Sequence, residues 1–148
     1  MWSCSASMFK KTVLITGASR GIGAETARLF AQRGWTVGIH CHRSRDRAET
    51  LLEELRAAGA QGAVYQADAA SREEVREMVR QFIEDFGTPE ALVCSAGIAR
   101  QELFSDITPE SWREILGVDL DGVFHCCQAV LPGMLQKKRG RIITLSSM

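Results

Sequence analysis

Three glycines near the start of the chain, Gly17, Gly21 and Gly23, follow directly on the apolar run Val13-Leu14-Ile15-Thr16. The stretch reads as a buried strand, a tight turn and the first residues of a helix. Glycine removes the side chain where a backbone must turn sharply, approach a ligand or pack closely on a neighbour. The helix beyond the turn directs unpaired N–H groups and the positive end of its dipole at the turn. Such a place stabilises an anion, most naturally a pyrophosphate. The spacing here is G-x-x-x-G-x-G rather than G-x-G-x-x-G, so the strand–turn–helix context carries the reading. Gly17, Ser19, Arg20, Gly21, Ile22 and Gly23 are the candidate pyrophosphate-binding residues.

A dinucleotide site that takes NAD uses an acid about 20 residues past the glycines to accept the ribose 2′-OH. That position reads Ile39-His40-Cys41-His42-Arg43-Ser44, with Cys41 where the acid is expected and no carboxylate before Asp46. Arg20 and Arg43 suit a 2′-phosphate through their planar donor forks, with His42 beside them. NADP(H) is therefore favoured over NAD(H). His40 and His42 alternate on one strand face, but no complete ligand shell accompanies them, so no metal site is expected.

These residues need a scaffold of alternating strands and helices, which predicts an α/β fold on a parallel sheet. Strands are expected over 12–16, 36–40, 63–66, 91–95 and 141–145. A first helix is expected over 22–33, stopped by Gly34, and a second from 45, stopped by Gly59. Ser71 and Glu74 have the spacing of a capping box for a third helix, which carries Val75, Met78, Val79, Phe82, Ile83 and Phe86 and ends at Gly87. Thr108-Pro109 opens a long helical region reaching about 138, bent near Gly117 and Pro132. Val123, Phe124, Val130, Leu131 and Met134 on it suit either the sheet or another subunit. The right-handed crossover rule gives a Rossmann-like doubly wound sheet of order 3-2-1-4-5, with the cofactor at the switch point between strands 1 and 4.

The segment Thr16-Gly17-Ala18-Ser19-Arg20-Gly21-Ile22-Gly23 resembles the cofactor motif of the short-chain dehydrogenases/reductases, most of all their 3-oxoacyl-[acyl-carrier-protein] reductase-like branch. The resemblance runs over 9–148 and covers the leading part of a family member. It implies a nicotinamide-dependent carbonyl reduction of the kind used in fatty acid biosynthesis. It also implies that Asp68, in Ala67-Asp68-Ala69, accepts from the adenine amino group. Ser95-Ala96-Gly97 would run beside the cofactor. The family usually has Asn-Asn-Ala-Gly here, so Cys94 and Ser95 depart while Ala96 and Gly97 match. Ile98 would lie near the nicotinamide ribose. Asp119 stands where the family commonly has an Asn that holds a water of the proton relay; an ionised Asp accepts but cannot donate. It serves either that relay or the shape of the helix bend. Ser147, in Gly140-Arg141-Ile142-Ile143-Thr144-Leu145-Ser146-Ser147, matches the serine that hydrogen-bonds the substrate carbonyl. Ser147 and Asp119 are the catalytic candidates.

The family's proton donor, a Tyr with a Lys four residues later, has no match. The only tyrosine is Tyr65, and position 69 is Ala. These residues by themselves are therefore expected not to reduce a carbonyl, and a non-catalytic NADP(H)-binding remnant is the alternative. The implied substrate is a small carbonyl compound such as a 3-oxoacyl thioester on acyl carrier protein, with sugars and steroids open. The full-length form is expected to be a homo-oligomer.

The 148 residues suffice for one domain, 45% of them hydrophobic and 24% charged. A formal net charge of zero gives no reason to expect nucleic acid or an anionic membrane as partner. No uninterrupted apolar run reaches the length of a membrane span. Residues 1–9 are expected to be a disordered leader and 10–148 the dinucleotide-binding domain. The five cysteines, Cys4, Cys41, Cys94, Cys126 and Cys127, lack C-x-x-C spacing, which suits reduced thiols and a cytoplasmic location.

Overall fold

The central strand, β1 (Thr12–Thr16), owes its place to its apolar run, all five residues of which are buried. The structure, a computed structural model, describes residues 11–146. After β1 come α1 (Gly21–Gln32), β2 (Thr36–Cys41), α2 (Arg45–Ala57), β3 (Gly62–Gln66), α3 (Arg72–Phe86) and β4 (Ala91–Cys94). A short 3₁₀ turn at Phe104–Asp106 leads to α4 (Pro109–Leu116), a π-helical turn at Gly117–Asp121, α5 (Gly122–Gln136) and β5 (Arg141–Thr144). The strands form one parallel sheet in the order β3-β2-β1-β4-β5, as expected.

Side chains alternate across a strand, so each run feeds two cores. Val13, Ile15, Val37, Ile39, Ala91 and Val93 join residues of α1 and α2 on one face. Leu14, Leu92 and Cys94 join Val75, Met78, Val79 and Phe82 of α3 and Cys126, Val130 and Met134 of α5 on the other. Gly38 leaves room for Phe82, whose ring would lie 2.6 Å from a Cβ there. The helix faces predicted from 3.6-residue spacing are thus the faces that pack, apart from Ile83, which is 36% exposed.

Gly34, Gly59 and Gly87 each fall one or two residues beyond a helix, as stop signals should. The capping box at α3 forms only in part. Ser71 Oγ accepts from Glu74 N–H at 3.3 Å, but the Glu74 carboxylate reaches past the cap to accept from Asp68 N–H at 2.8 Å. Ser71 N–H is already bound to the Asp68 carbonyl, which explains the displacement. Thr108 caps α4 as expected, its Oγ1 accepting from Ser111 N–H at 3.1 Å.

The bend expected near Gly117 is the π-helical turn. A Cβ on Gly117 would lie 3.3 Å from Ala70 Cβ, and one on Gly122 would lie 3.1 Å from Ala69 Cβ. The two glycines let the helix approach the loop after β3 closely, and the widened turn takes up the offset. No break accompanies Pro132, which lies inside α5. Of the residues that suited either the sheet or a subunit, Val130 and Met134 are buried, while Phe124 and Leu131 are 56% and 44% exposed. By length and composition alone the helical stretch Pro109–Gln136 could cross a bilayer, with mean hydropathy 1.2 in its most apolar window. In this fold its buried side packs on the sheet.

Candidate cofactor-binding site

The glycine turn joins β1 to α1 at the carboxyl edge of the sheet. Gly17 has φ +64°, and a Cβ there would meet Ala96 Cα at 2.6 Å. Gly21 has φ +56° with open space around it, and a Cβ on Gly23 would meet the Gly17 carbonyl oxygen at 2.5 Å. The glycines therefore serve a close approach to the end of β4, a left-handed backbone, and packing of α1 on the turn, in that order. Two amides of the turn are engaged from within: Gly17 N–H donates to His40 Nδ1 at 3.1 Å and Ala18 N–H to the His40 carbonyl at 2.9 Å. The amides of Gly21, Ile22 and Gly23 lie in the first turn of α1, where no intrahelical acceptor exists. Arg20 is the N-cap without a side-chain cap bond, and no acidic residue stands in that first turn. The dipole end is thus left for an anion.

On the adenosine side β2 ends on Cys41. Cys41, standing where an NAD site has its acid, is a buried core residue, as suits a small apolar side chain. β2 runs one residue further than predicted, and the parity of the strand turns Cys41 into the core, where it is 1% exposed. Burial pushes its thiol pKa up. His42 and Arg43 are the first exposed residues after the strand, and Arg20 is exposed on the glycine turn. A cavity of about 310 Å³ opens between α1 and α2 beside the turn, lined by Ser19, Arg20 and Gly21 and by Arg28, Arg47 and Thr50. Arg28 and Glu54 close its wall with paired bonds of 2.7 and 2.8 Å. Arg43 does not line this cavity, whereas Arg47, which the sequence reading passed over, does.

Asp68 follows β3. Its Oδ1 accepts from Ala70 N–H at 2.9 Å, and its Oδ2 lies 4.0 Å from His42 Nε2. One oxygen thus shapes the loop and the other faces the same region as His42. Ala69 is turned away: it is 5% exposed, close to Gly122, and its carbonyl accepts from the His125 ring at 3.2 Å.

On the other side of the turn, Thr16 Oγ1 accepts from both Ser95 N–H and Ala96 N–H, each at 3.0 Å. The hydroxyl closes the crevice floor between β1 and β4. Asp119 Oδ1 accepts from Ile98 N–H at 2.9 Å and would lie 3.5 Å from a Cβ on Gly97. Its carboxylate therefore ties the π-helical turn to the loop carrying Ser95, Ala96 and Gly97. Ser147 lies outside the described residues, as do residues 1–9. Tyr65 is 4% exposed on β3, and its hydroxyl donates to Asp85 at 2.6 Å. Burial and that carboxylate push its pKa up, so it is not placed to give a proton at the crevice.

His40 and Thr16 are the organising residues that sequence reasoning missed. The signal for each was a polar residue at the carboxyl end of an apolar strand. Both His40 ring nitrogens have backbone partners, the second being the Ala67 carbonyl at 3.0 Å. Among the described residues no three His, Cys, Asp or Glu side chains are grouped to hold a metal.

Residues 11–148 match the family model described as short chain dehydrogenase. The chain is 39% identical over 137 residues to the 3-oxoacyl-[acyl-carrier-protein] reductase FabG of Staphylococcus epidermidis, covering 93% of this chain and 56% of that protein. It is 37% identical over 139 residues to the enzyme of the same name from Thermotoga maritima, covering 93% and 55%. This chain spans about half the length of those curated relatives. A solved metagenomic short-chain oxidoreductase in complex with NADP superposes with a TM-score of 0.89 at 27% identity, over 93% of this chain and 62% of that one. With the family model matched over residues 11–148, the chain belongs to the short-chain dehydrogenase family.

Proposed function

We propose that these residues form the cofactor-binding part of an NADP(H)-dependent reductase that converts a carbonyl to a hydroxyl. The observation that carries the reading is the glycine turn. Its first two amides are held by His40, and the α1 amides that follow lie in a first turn that carries no acidic residue. Gly17, Ser19, Arg20, Gly21, Ile22 and Gly23 would hold the pyrophosphate. Arg20, with Arg43 or Arg47, would read the 2′-phosphate, and His42 would line the ribose. Between the end of β2 and Asp46 no carboxylate stands to accept a 2′-OH, which supports NADP(H) over NAD(H). Asp68 would accept from the adenine, with Ala69 fixing its loop. Ser95, Ala96 and Gly97 would flank the nicotinamide half.

The bound nicotinamide supplies the hydride. Ser147, three positions after β5 in the sequence, would donate a hydrogen bond to the carbonyl oxygen where negative charge develops. Asp119 acts by holding the Ile98 amide and so the loop beside the crevice. A 3-oxoacyl thioester carried on acyl carrier protein is the substrate class, since the relatives at 37–39% identity bear that enzyme's name. A cytoplasmic location and a homo-oligomeric full-length form accompany this reading.

The buried Tyr65 is the chain's one tyrosine, so these 148 residues are expected to bind nucleotide without turnover. Titration with NADPH and NADH by fluorescence tests the first claim: NADPH is expected to bind more tightly, and Arg20→Ala to weaken NADPH selectively. Equal affinity for the two nucleotides would remove the 2′-phosphate reading. Steady NADPH oxidation with a 3-oxoacyl thioester would overturn the expected lack of turnover.

A further inference from the structure

We propose that His40 is a positioning residue for the cofactor, its imidazole locking the pyrophosphate turn and the adenine-side loop to the end of β2. This rests on the nucleotide-binding reading above. His40 is the penultimate residue of β2 and is 2% exposed. Its Nδ1 accepts from Gly17 N–H at 3.1 Å, and its own carbonyl accepts from the next amide, Ala18 N–H, at 2.9 Å. The other ring nitrogen, Nε2, lies 3.0 Å from the Ala67 carbonyl oxygen. A carbonyl can only accept, so the ring is neutral with its proton on Nε2. The neighbouring Cys41 carbonyl accepts from Ala67 N–H at 3.1 Å. One ring thus spans from the turn that would hold the pyrophosphate to the residue before Asp68.

No smaller side chain does this. Asn places an oxygen where Nδ1 stands but does not reach Ala67; Leu fills the space and holds neither loop. A protonated ring would set an N–H against the Gly17 N–H and release the turn. The surroundings oppose protonation. Burial lowers the imidazole pKa below its usual value and outweighs the Ala67 carbonyl, which raises it; of the neighbouring charges His42 lowers it and Asp68 raises it. From β3 the register partner is Tyr65, whose phenol is neutral. From the turn after β1 the hydrogen bonds to His40 come from the backbone of Gly17 and Ala18, and Thr16 before them carries no charge.

The test uses the whole chain as wild type, His40→Asn and His40→Leu. Binding of NADP⁺ is measured by calorimetry from pH 8 to 5, and the ring and Gly17 amide are followed by ¹⁵N NMR without nucleotide. At neutral pH the wild-type ring is expected to show the Nε2–H tautomer. The His40→Leu variant is expected to shift the Gly17 amide resonance and to bind NADP⁺ at least tenfold more weakly while still melting cooperatively. The 2′-phosphate titrates in every variant, so the difference between the wild-type and His40→Asn profiles isolates the imidazole. Wild type is expected to lose up to about tenfold more affinity per pH unit in its acid limb than the Asn variant, as one linked proton requires. Superimposable profiles, or a folded Leu variant binding as wild type does, would overturn the proposal. A wild type that binds no NADP⁺ at any pH would instead sink the nucleotide reading. An Nδ1–H tautomer or an unmoved Gly17 amide in the Leu variant would then still show that His40 does not hold the turn.

Discussion

Gly17 and Gly21 belong to the same turn, yet substitution should treat them differently. Both have positive φ, at +64° and +56°, which an alanine adopts at a cost of about 1–2 kcal/mol. At Gly17 the new Cβ would also lie 2.6 Å from Ala96 Cα, a backbone atom that cannot swing away, whereas at Gly21 it meets nothing. Overpacking of that kind costs about 1–3 kcal/mol more. Urea denaturation should therefore show Gly17→Ala destabilised by roughly 2–5 kcal/mol and Gly21→Ala by roughly 1–2 kcal/mol. Equal losses would mean that the approach of β1 to the β4 loop is looser than the geometry requires. Thr16 supports the same approach through its two amide bonds at 3.0 Å. Thr16→Val keeps shape but leaves both amides without that oxygen, so a loss of about 1–3 kcal/mol is expected. Thr16→Ser should recover most of it in the same denaturation series.

The π-helical turn between α4 and α5 sets the position of the β4 loop through a single side chain, Asp119. The bond it makes to the Ile98 amide needs an acceptor, not a charge. Asp119→Asn should leave thermal stability nearly unchanged, and Asp119→Ala should lower it by about 1 kcal/mol. A large loss in the Asn variant would assign the carboxylate a charge-dependent role. The bend itself was legible in the sequence as Gly117, and so were the helix stops and the Thr108 cap, because each depends on residues close together in the chain. The π form was not legible. It depends on Gly117 and Gly122 meeting Ala70 and Ala69 across the fold, which is tertiary packing. The end of β2 was legible only to within one residue, because the strand continues through Cys41 where its neighbours in the sheet still pair. The glycine turn was legible because strand, turn and helix all declare it locally. The histidine that holds it was not, since a buried His with two backbone partners looks in sequence like any other His beside a Cys.

Titration across the whole molecule follows from a few buried groups of opposite kind. The folded-state pKa of His40 is lowered from 6.5, so its contribution to stability is complete above that pH and is lost as pH falls towards the folded value. Cys94 and Cys126 are raised from 9.0 by burial, Cys126 to about 12, so their contribution is complete below pH 9 and is lost as pH rises beyond it. Thermal unfolding followed by circular dichroism should give a melting temperature that is flat between these limits and falls on both sides, with the acid limb shallower in His40→Asn. Outside the core, Leu120, Phe124, Leu131 and Leu135 are 61%, 56%, 44% and 66% exposed. Their spacing of four, seven and four residues puts them on one side of the helical stretch, forming a continuous apolar stripe. β5, at the edge of the sheet, exposes Ile142 and Ile143 as well. Apolar surface of this kind drives association. Sedimentation velocity should therefore show the chain associating with its own copies as concentration rises. Phe124→Ser combined with Leu131→Ser should shift it towards monomer without lowering the melting temperature, because neither residue lies in the core. A wild-type chain that stays monomeric at every concentration would show that the stripe is tolerated in water, and the apolar face would then lose its place as an association surface.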